Sequence, residues 1–305
     1  MKQKIVNIIS EIKREFKITE KFSKASNGTN SQVFVSENFI IKINKNITAL
    51  KKEYDVIKSL KSKYVPKALG FVNLKGHGAI IEKRINGDDV QKVWKQFSQK
   101  NKTRIINDLA VALASFHRQK YDYFWSLKSN KKFKSYDKLL IIRFKEYKKR
   151  ILSNKTACDL YLRIKDNLNE ARMAKIFKNV KPALVHGDLI MHNILTDGKK
   201  LTGIIDWEYV QFGDPFYDLA RVIYYQECAK AYIEEKGDIH FEYDFTTRLI
   251  NKLRESIEFS EDKYKIIRCL YFIDTIIWAL NSSDPEYNLK KLKPPTLGQL
   301  RGKNH

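Results

Sequence analysis

The chain has 305 residues, of which 43% are hydrophobic and 12% aromatic, so it can bury a large core and is not a disordered protein. No apolar run is long enough to cross a bilayer as a helix. The formal net charge of +23 would suit a polyanionic partner, but lysines occur in nearly every segment and no nucleic-acid-binding motif accompanies them. We therefore interpret this charge as solvated surface.

The N-terminus and the cysteines favour a cytoplasmic protein. Charged residues such as Glu11 and Lys13 interrupt the apolar positions near the start, which predicts an amphipathic helix and not a signal peptide. Cys158, Cys228 and Cys269 are scattered along the chain and form no closely spaced pair suited to zinc. We interpret them as reduced thiols.

The first part of the chain predicts a small region rich in strands. Helices are expected over residues 1–20 and 48–61, where apolar residues recur at helical spacing. Short runs of β-branched and aromatic residues predict strands between and after these helices. The predicted strands cover residues 33–35, 39–43, 68–72 and 78–83.

The rest of the chain, after a connector at residues 82–88, is predicted to be mostly helical, with a poorly ordered tail from Leu289. Helices are expected over residues 102–118, 136–153, 158–178 and most of 216–280. The predicted fold is therefore α+β and bilobal. A small lobe with an antiparallel sheet covers residues 1–84, and a larger, mostly helical lobe covers residues 85–305.

One short window holds the most informative polar residues. Asp188 follows a His-Gly pair, Asn193 comes after four intervening residues, and Asp206 ends an apolar run that follows a predicted hairpin turn at Asp197-Gly198. A kinase catalytic loop has this spacing, with an aspartate that accepts the proton of the attacking hydroxyl and an asparagine that holds a metal. We therefore predict Asp188 as the catalytic base and Asn193 and Asp206 as Mg²⁺ ligands.

The same window allows other interpretations. Taken singly, Asp188 and Asn193 are ordinary turn and capping residues. His186, Asp188 and His192 together also suggest a metal hydrolase, although no further histidine cluster supplies the remaining ligands. We expect His186 to have an architectural role and Asp218 to cap or brace a helix.

Upstream, Lys42 lies between apolar neighbours in a predicted strand, so its side chain should face the opposite side of the sheet from theirs. Glu53, in the following helix, is the expected ion-pair partner. The order of strand, lysine, helix and glutamate before the catalytic loop is that of kinases. Lys42 is therefore predicted to bind the phosphates of ATP or GTP, with Lys45 and Lys51 as the nearest alternatives.

Weaker signals extend the predicted nucleotide site. Backbone N–H groups and hydroxyls of the polar turn that contains Ser26, Gly28 and Ser31 would cover the phosphates, although the turn has a single glycine. A hinge near the end of the last N-terminal strand would face the edge of an adenine. The residues assigned to this hinge are Glu82, Arg84 and Ile85.

At these residues the chain resembles the aminoglycoside phosphotransferase and choline kinase superfamily, whose members share a protein-kinase-like fold. The resemblance is densest over residues 182–221, in Leu-Val-His-Gly-Asp-Leu, Asn-Ile-Leu, Gly-Ile-Ile-Asp-Trp-Glu and Gly-Asp-Pro-Phe-Tyr-Asp-Leu-Ala-Arg. It implies ATP or GTP as donor, Mg²⁺ as cofactor and a small-molecule hydroxyl as acceptor. Gly187 and Trp207-Glu208 depart from the protein-kinase pattern, so a protein substrate is not expected.

An aminoglycoside or a related sugar is the best single prediction for the acceptor, because antibiotic kinases of this family bind cationic acceptors in acidic pockets and residues 227–244 are locally acidic. The candidates to line the acceptor site are Glu208, Asp214, Glu227 and Trp278. A choline-, ethanolamine- or thiamine-type kinase is the alternative, since aromatic side chains can hold a quaternary cation. A further alternative is a nucleotide-binding pseudoenzyme or a basic nucleic-acid-binding protein. No membrane partner is expected.

Overall fold

The structure is a computed structural model, and it divides into two compact units that are each built from two stretches of chain. The first unit comprises Met1–Ala112 and Asp188–Val210, and the second comprises Leu113–Gly187 and Gln211–His305. The described residues are 2–25, 31–74, 76–127, 129, 131–236, 240–292 and 294, and the side chains of residues 2–4, 229–236, 240 and 241 are not described. The predicted lobe boundary between residues 84 and 85 stays a prediction.

The first unit combines short strands with a few helices. In chain order, its elements are α1 (Lys2–Glu15), β1 (Ser23–Lys24), β2 (Gln32–Val35), β3 (Phe39–Asn44), α2 (Ile47–Ser59), β4 (Ala68–Leu74), β5 (His77–Lys83), β6 (Asp88–Asp89) and α3 (Val90–Val93). Helix α4 (Gln99–His117) begins in this unit and ends in the second one. The first two predicted helices and the four predicted strands are all present, within a few residues of their expected bounds.

Five of the described strands form an antiparallel sheet in the order β1-β2-β3-β5-β4. Side chains alternate between its two faces, as the pleat of a strand requires. On one face, Ile41 and Ile81 pack with Ile8 and Ile12 of α1 in one hydrophobic cluster. Burial of these side chains is what holds α1 against the sheet, at about 25 cal/mol for each Å² of apolar surface removed from water.

The opposite face of the sheet carries α2. Leu50 and Tyr54 of this helix pack with Ile80 of β5 in a second cluster. The side-chain oxygen of Asn46 accepts a hydrogen bond from the backbone N–H of Ala49 at 3.0 Å, which caps the start of the helix. Lys42 lies opposite Ile80 in the β3–β5 register, so its side chain is on the α2 face.

The second stretch of the first unit adds β9 (Ile194–Thr196) and β10 (Leu201–Ile204), which pair as a hairpin. Its turn passes through Gly198, whose φ of +87° lies in the left-handed region that favours glycine. Strand β6 joins this hairpin through β9, in the order β10-β9-β6. The two-residue strand β6 was not predicted from the sequence.

The second unit is mostly helical, as the sequence predicts. In chain order, it contains β7 (Trp125–Ser126), α5 (Tyr136–Leu152), α6 (Lys155–Leu162), α7 (Glu170–Ile176), β8 (Ala183–Val185), β11 (Gln211–Gly213), α8 (Phe216–Lys236), α9 (His240–Arg254), α10 (Glu261–Leu280) and α11 (Pro285–Lys291). A short antiparallel sheet has the order β7-β11-β8. The α+β class, with antiparallel strands toward the N-terminus and helices toward the C-terminus, is confirmed.

Two secondary-structure predictions were wrong. The single helix expected over residues 158–178 is divided into α6, a 3-10 turn at Lys165–Leu168 and α7. The division occurs because Asn169 caps a new helix, its side chain accepting from the backbone N–H of Arg172 at 3.0 Å. The start of the predicted poorly ordered tail, around Leu289, is helical, since Asp284 caps α11 and the Leu289 side chain is fully buried. Residues 293 and 295–305 of that tail lie outside the described residues.

Helix α10 contributes a large part of the second unit's core, with eleven of its twenty residues buried. An ion pair joins its Asp274 to Arg143 of α5, whose guanidinium also donates to the hydroxyl of Tyr217 at 2.9 Å. This polar network fixes the two helices against each other. Among the helices that the structure describes, none is both long and apolar enough to cross a membrane.

Candidate active site

Lys42 connects two carboxylates within the first unit. Its Nζ lies 2.9 Å from Oε1 of Glu53 and 2.8 Å from Oδ1 of Asp206. Lys42 and Glu53 are buried, whereas the side chain of Asp206 is 38% exposed. The lysine is therefore held in one position from the α2 side, while the aspartate keeps access to solvent. The pairing with Glu53 is the one expected from the sequence.

The neighbouring carboxylates determine the charge state of Lys42. Burial by itself lowers the pKa of Lys42, but the carboxylates of Glu53 and Asp206 outweigh that effect and hold it above the ordinary lysine value. The charge of Glu208 acts in the same direction. Lys42 is therefore a permanent cation at physiological pH, as a phosphate-binding lysine must be.

Glu82 is a further buried carboxyl on the same face of the sheet. It lies opposite Ile40, two residues along the strand from the Lys42–Ile80 pair, so its side chain points to the same side as Lys42. Burial raises the pKa of Glu82 to about 7, and the nearby negative charge of Glu53 contributes to this shift. Within the part of the chain that the structure describes, its carboxyl group makes no hydrogen bond.

The loop after β8 brings Asp188 and Asn193 into direct contact. The Nδ2 of Asn193 donates to the backbone oxygen of Asp188 at 2.9 Å and to its Oδ2 at 3.1 Å. A 3-10 turn at Met191–Asn193 tightens the loop, with the backbone N–H of Asn193 bonded to the oxygen of Ile190 at 3.0 Å. The amide of Asn193 thus orients the carboxylate of Asp188 and leaves its own side-chain oxygen as the atom to face a cation.

Asp206 follows β10 and is tied to the same loop. The backbone N–H of Ile205 donates to the backbone oxygen of Asn193 at 2.9 Å, so the residues before Asp206 run beside the catalytic-loop candidate. Asp206 has φ of +62°, a left-handed conformation that aspartate adopts more readily than most residues. The indole of Trp207, fully buried, donates to the oxygen of Ile204 at 3.0 Å and fixes this turn.

Asn193 and Asp206 offer hard oxygen ligands of the kind that Mg²⁺ prefers. One oxygen of Asp206 contacts Lys42, and the partly exposed carboxylate can present the other to a cation. Mg²⁺ commonly takes only one or two protein ligands and completes its octahedron with water and phosphate oxygens. The donor set therefore fits a magnesium ion bound together with a nucleotide, which is the predicted use of these two residues.

A pair that the sequence analysis missed supports the loop from the side. The Nδ1 of His192 lies 2.8 Å from Oδ2 of Asp89, and the other oxygen of Asp89 caps α3 by accepting from the N–H of Gln91. This pairing is one contact of His192, which the sequence suggests only as a possible metal ligand. The sequence does not reveal this pair, because 103 residues separate Asp89 from His192 and Asp89 belongs to no recognisable motif.

Within the second unit, Asp218 braces the strand end that leads to Asp188. Its carboxylate accepts from the backbone N–H of Gly187 at 2.8 Å and of His186 at 3.2 Å, and it lies 2.8 Å from Nε2 of His117. Asp218 is fully buried. Gly187 has φ of +82°, which explains the glycine at this position. The bracing function expected for Asp218 agrees with these contacts.

The remaining acceptor-site candidates differ in availability. Asp214 is buried, with its carboxylate 2.6 Å from Nζ of Lys263 and bonded to the N–H of Phe216. Glu227 forms an ion pair with Arg268 at 2.7 Å. Trp278 on α10 is 55% exposed. A cationic ligand would therefore have to compete with Lys263 or Arg268 for these two carboxylates, while Trp278 is open to a ligand.

The predicted nucleotide-covering turn lies partly outside the described residues, because Ser26 and Gly28 are not among them. Ser31 is buried and its hydroxyl accepts from Nδ2 of Asn44 at 2.9 Å. At the predicted hinge, the N–H of Arg84 donates to the oxygen of Asn38 at 2.9 Å, so the sheet already uses this donor.

Ile85 also belongs to the first unit and packs against Gly203 of β10. A Cβ at Gly203 would lie 2.7 Å from Cδ1 of Ile85, closer than two carbon atoms can approach. The glycine in the Gly-Ile-Ile-Asp motif therefore makes room for the hinge side chain. None of these contacts assigns a ligand to the hinge residues, whose function stays a prediction.

Comparison with known proteins identifies the fold and the family of this chain. Over 43 residues the chain is 40% identical to hygromycin-B 4-O-kinase of Escherichia coli, a match that spans 14% of this chain and 13% of that protein. The crystal structure of aminoglycoside phosphotransferase APH(4)-Ia superposes with a TM-score of 0.69 at 14% identity, covering 94% of this chain and 96% of that chain. The gentamicin complex of APH(2'')-IIa gives a TM-score of 0.58 at 18% identity, covering 94% and 96%.

At such low identity these structures establish the fold alone. The family assignment has a separate basis, because the model of the phosphotransferase enzyme family named APH matches residues 23–248. This match extends over most of the chain and includes Lys42, Glu53, Asp188, Asn193 and Asp206. The chain therefore belongs to the APH phosphotransferase enzyme family.

Proposed function

We propose that this protein transfers the γ-phosphate of ATP or GTP to a hydroxyl group of an aminoglycoside or a related sugar. The arrangement of Lys42 between Glu53 and Asp206, with Asp188 oriented by Asn193, is the observation that carries the proposal. Phosphoryl transfer needs positioning and charge neutralisation more than covalent chemistry, and this cluster provides both. Family membership supports the reaction class.

In this proposal each residue has one task. Lys42 binds the phosphates of the nucleotide, and Glu53 fixes the lysine in place. Asp188 orients the acceptor hydroxyl and accepts its proton, with its carboxylate held by Asn193. Asn193 and Asp206 hold Mg²⁺, which when bound neutralises charge on the phosphate oxygens. The residues that precede 85 bind the nucleotide, and the helical part of the chain supplies the acceptor site.

The aminoglycoside acceptor is supported by the relatives. A thermostable mutant of APH(4)-Ia is known in a ternary complex with AMP-PNP and hygromycin B, and APH(2'')-IIa is known with gentamicin. The short curated match is also to a hygromycin kinase. We place the protein in the cytoplasm, where nucleotide is present, and propose Glu208, Asp214, Glu227 and Trp278 as acceptor-site residues.

The test is Mg²⁺-dependent release of nucleoside diphosphate from ATP and from GTP, with hygromycin B, gentamicin, streptomycin, choline, ethanolamine and thiamine as acceptors. We expect an aminoglycoside to stimulate turnover. Asp188→Asn should lower kcat about 10²- to 10⁴-fold, the usual contribution of a positioned general base. Asp197→Asn, at an exposed turn, is the matched control and should retain turnover.

Each other outcome rejects a defined part of the proposal. Stimulation by choline or thiamine alone would replace the acceptor class. Near-normal turnover in Asp188→Asn would remove the base assignment. Nucleotide binding without turnover for any of these acceptors would reject them as substrates and favour another metabolite or a nucleotide-binding pseudoenzyme.

A further inference from the structure

The second unit contains a cavity of about 500 Å³ whose lining includes Asp214, a proposed acceptor-site residue, but none of Lys42, Asp188, Asn193 and Asp206. Its walls come from the end of α4, from the chain between α7 and β8, from the residues just before α8, and from the first turn of α10. The volume lies within the range of about 300–1,000 Å³ that is typical of small-molecule sites. We call it the α4–α10 cavity.

The walls of the α4–α10 cavity carry a local excess of positive charge. Arg118, Lys120, Lys181 and Lys263 line it, and Asp214 is the carboxylate among the lining residues. Asp214 is already matched, because its Oδ2 lies 2.6 Å from Nζ of Lys263. In the described chain, the other three cations have no carboxylate within ion-pair distance.

These three cations come from two segments that the fold brings together. Arg118 and Lys120 follow the end of α4, whereas Lys181 precedes β8. The backbone of Lys120 pairs with that of Ala183 in an isolated bridge, which joins the two segments. Convergence of like charges is unfavourable in the absence of an anion, so a bound anion would relieve the repulsion.

The frame around these cations is well fixed. His117, next to Arg118, is held by the buried carboxylate of Asp218 at 2.8 Å. The side chain of Gln119 accepts a hydrogen bond from the hydroxyl of Tyr121 at 3.0 Å. A cavity with an ordered backbone presents its donors without a large entropic cost on binding.

We propose that the α4–α10 cavity binds a small, phosphate-bearing anion. A phosphate group has several strong acceptor oxygens, which match the donors of one guanidinium and two or three ammonium groups. The concave shape favours a small ligand over an extended polyanion, which would follow a basic stripe on the surface. The inference does not rest on the proposed kinase activity, since Lys42, Asp188, Asn193 and Asp206 all belong to the first unit.

Calorimetric titration with inorganic phosphate and with pyrophosphate tests this proposal, with ionic strength held constant by chloride. The informative variant is the double substitution Lys120→Ala, Lys181→Ala. Its matched control is Lys138→Ala, Lys149→Ala, which removes two exposed lysines of α5 and changes the net charge equally. Since Lys42 is itself a candidate phosphate ligand, every titration is repeated in a Lys42→Ala background.

We expect binding to the parent protein that survives Lys42→Ala. The cavity variant should weaken it about tenfold or more, the loss expected for one charge-assisted hydrogen bond, while the control stays within about twofold. Equal losses in both double variants would mean non-specific attraction and overturn the proposal. Absence of binding above the chloride baseline would overturn it too, as would binding of a single-stranded oligonucleotide alone with a steep salt dependence.

Discussion

The Nζ of Lys42 lies 2.8 Å from Oδ1 of Asp206, although 164 residues separate the two in sequence. Glu53 holds the same ammonium from the other side. A single cation thus joins the sheet, helix α2 and the turn after β10. Lys42 is buried and Asp206 is partly exposed, so we expect a substitution of Lys42 and a substitution of Asp206 to have different effects.

Removal of the lysine should weaken nucleotide binding. We expect Lys42→Ala to raise KM for ATP at least about tenfold and to lower kcat, because a charge-assisted contact to phosphate is lost. Steady-state kinetics with the best acceptor measures both constants. Lys45→Ala is the control, since Lys45 is exposed and only three residues away along the chain. Equal effects of the two substitutions would show that Lys42 has no special task.

Asp206→Asn should weaken metal binding, because a neutral amide replaces a carboxylate ligand. Electron paramagnetic resonance of Mn²⁺, titrated in the presence of a non-hydrolysable nucleotide, reports the affinity directly and needs no turnover. We expect a loss of about tenfold or more, and chelation of the metal should stop phosphoryl transfer. Asp197→Asn should bind Mn²⁺ like the parent protein. A variant Asp206→Asn with parental affinity would move the metal site elsewhere.

Glu82 should make stability depend on pH. Burial raises its pKa from an ordinary 4.5 to about 7 in the folded protein. Below pH 4.5 the Glu82 carboxyl is protonated in both the folded and the unfolded protein, so it does not lower the free energy of unfolding. Between pH 4.5 and 7 the unfolded chain loses its proton first, so the free energy of unfolding falls as pH rises. Above pH 7 the free energy of unfolding stays lower by a constant amount, about 3 kcal/mol for a pKa shift of this size.

Glu82→Gln removes the titration and keeps the shape of the side chain. We expect the variant to be more stable than the parent at pH 8 and of similar stability at pH 4, as measured by urea unfolding. Glu37→Gln, at an exposed position, should show no such pH-dependent difference. If the Glu82→Gln gain were the same at pH 4 and pH 8, a buried and titrating carboxyl would not be its cause.

Asp218→Ala should destabilise the second unit. The substitution removes the acceptor of two backbone N–H groups, from His186 and Gly187, and the partner of His117. Buried donors left without an acceptor cost about 1–3 kcal/mol each, so a total of about 3 kcal/mol or more is expected in chemical unfolding. Asp218→Asn should recover part of this loss, since an amide oxygen can still accept.

Asp262→Ala provides the comparison for Asp218. Asp262 is exposed and pairs with Arg172 at 2.8 Å on the surface, so its removal should cost no more than about 1 kcal/mol. Similar losses at the two positions would contradict the bracing function of Asp218. The same experiment at low and high salt should change only the Asp262 effect, because surface ion pairs are screened.

The site residues were best predicted where hydrophobic periodicity and a sequence motif indicate the same position. Lys42 could be placed opposite its apolar neighbours because strand alternation leaves no other choice, and Glu53 followed from the helix after it. The spacing of Asp188 and Asn193 was sufficient to predict a shared loop. Their hydrogen bond was not predictable in detail, since it depends on the 3-10 turn that closes the loop.

Contacts between distant and unremarkable residues could not be predicted. Nothing in the sequence links Asp89 with His192, because the two-residue strand β6 is too short to leave a periodic signal. The pairing of Asp214, a predicted acceptor ligand, with Lys263, 49 residues later, depends on how the helices pack. The hinge prediction for Glu82 concerns its backbone, whereas its buried side chain is the more distinctive feature.

The first unit is assembled from two stretches of chain that are separated by Leu113–Gly187. During synthesis, the ribosome must therefore release the chain through Val210 before this unit can be completed. Until then Lys42 has Glu53 as its partner and lacks Asp206, so the nascent N-terminal region carries an unfinished charge cluster. A truncated chain that ends before Asp188 would keep this state permanently, and we expect such a fragment to depend on chaperones or to be degraded.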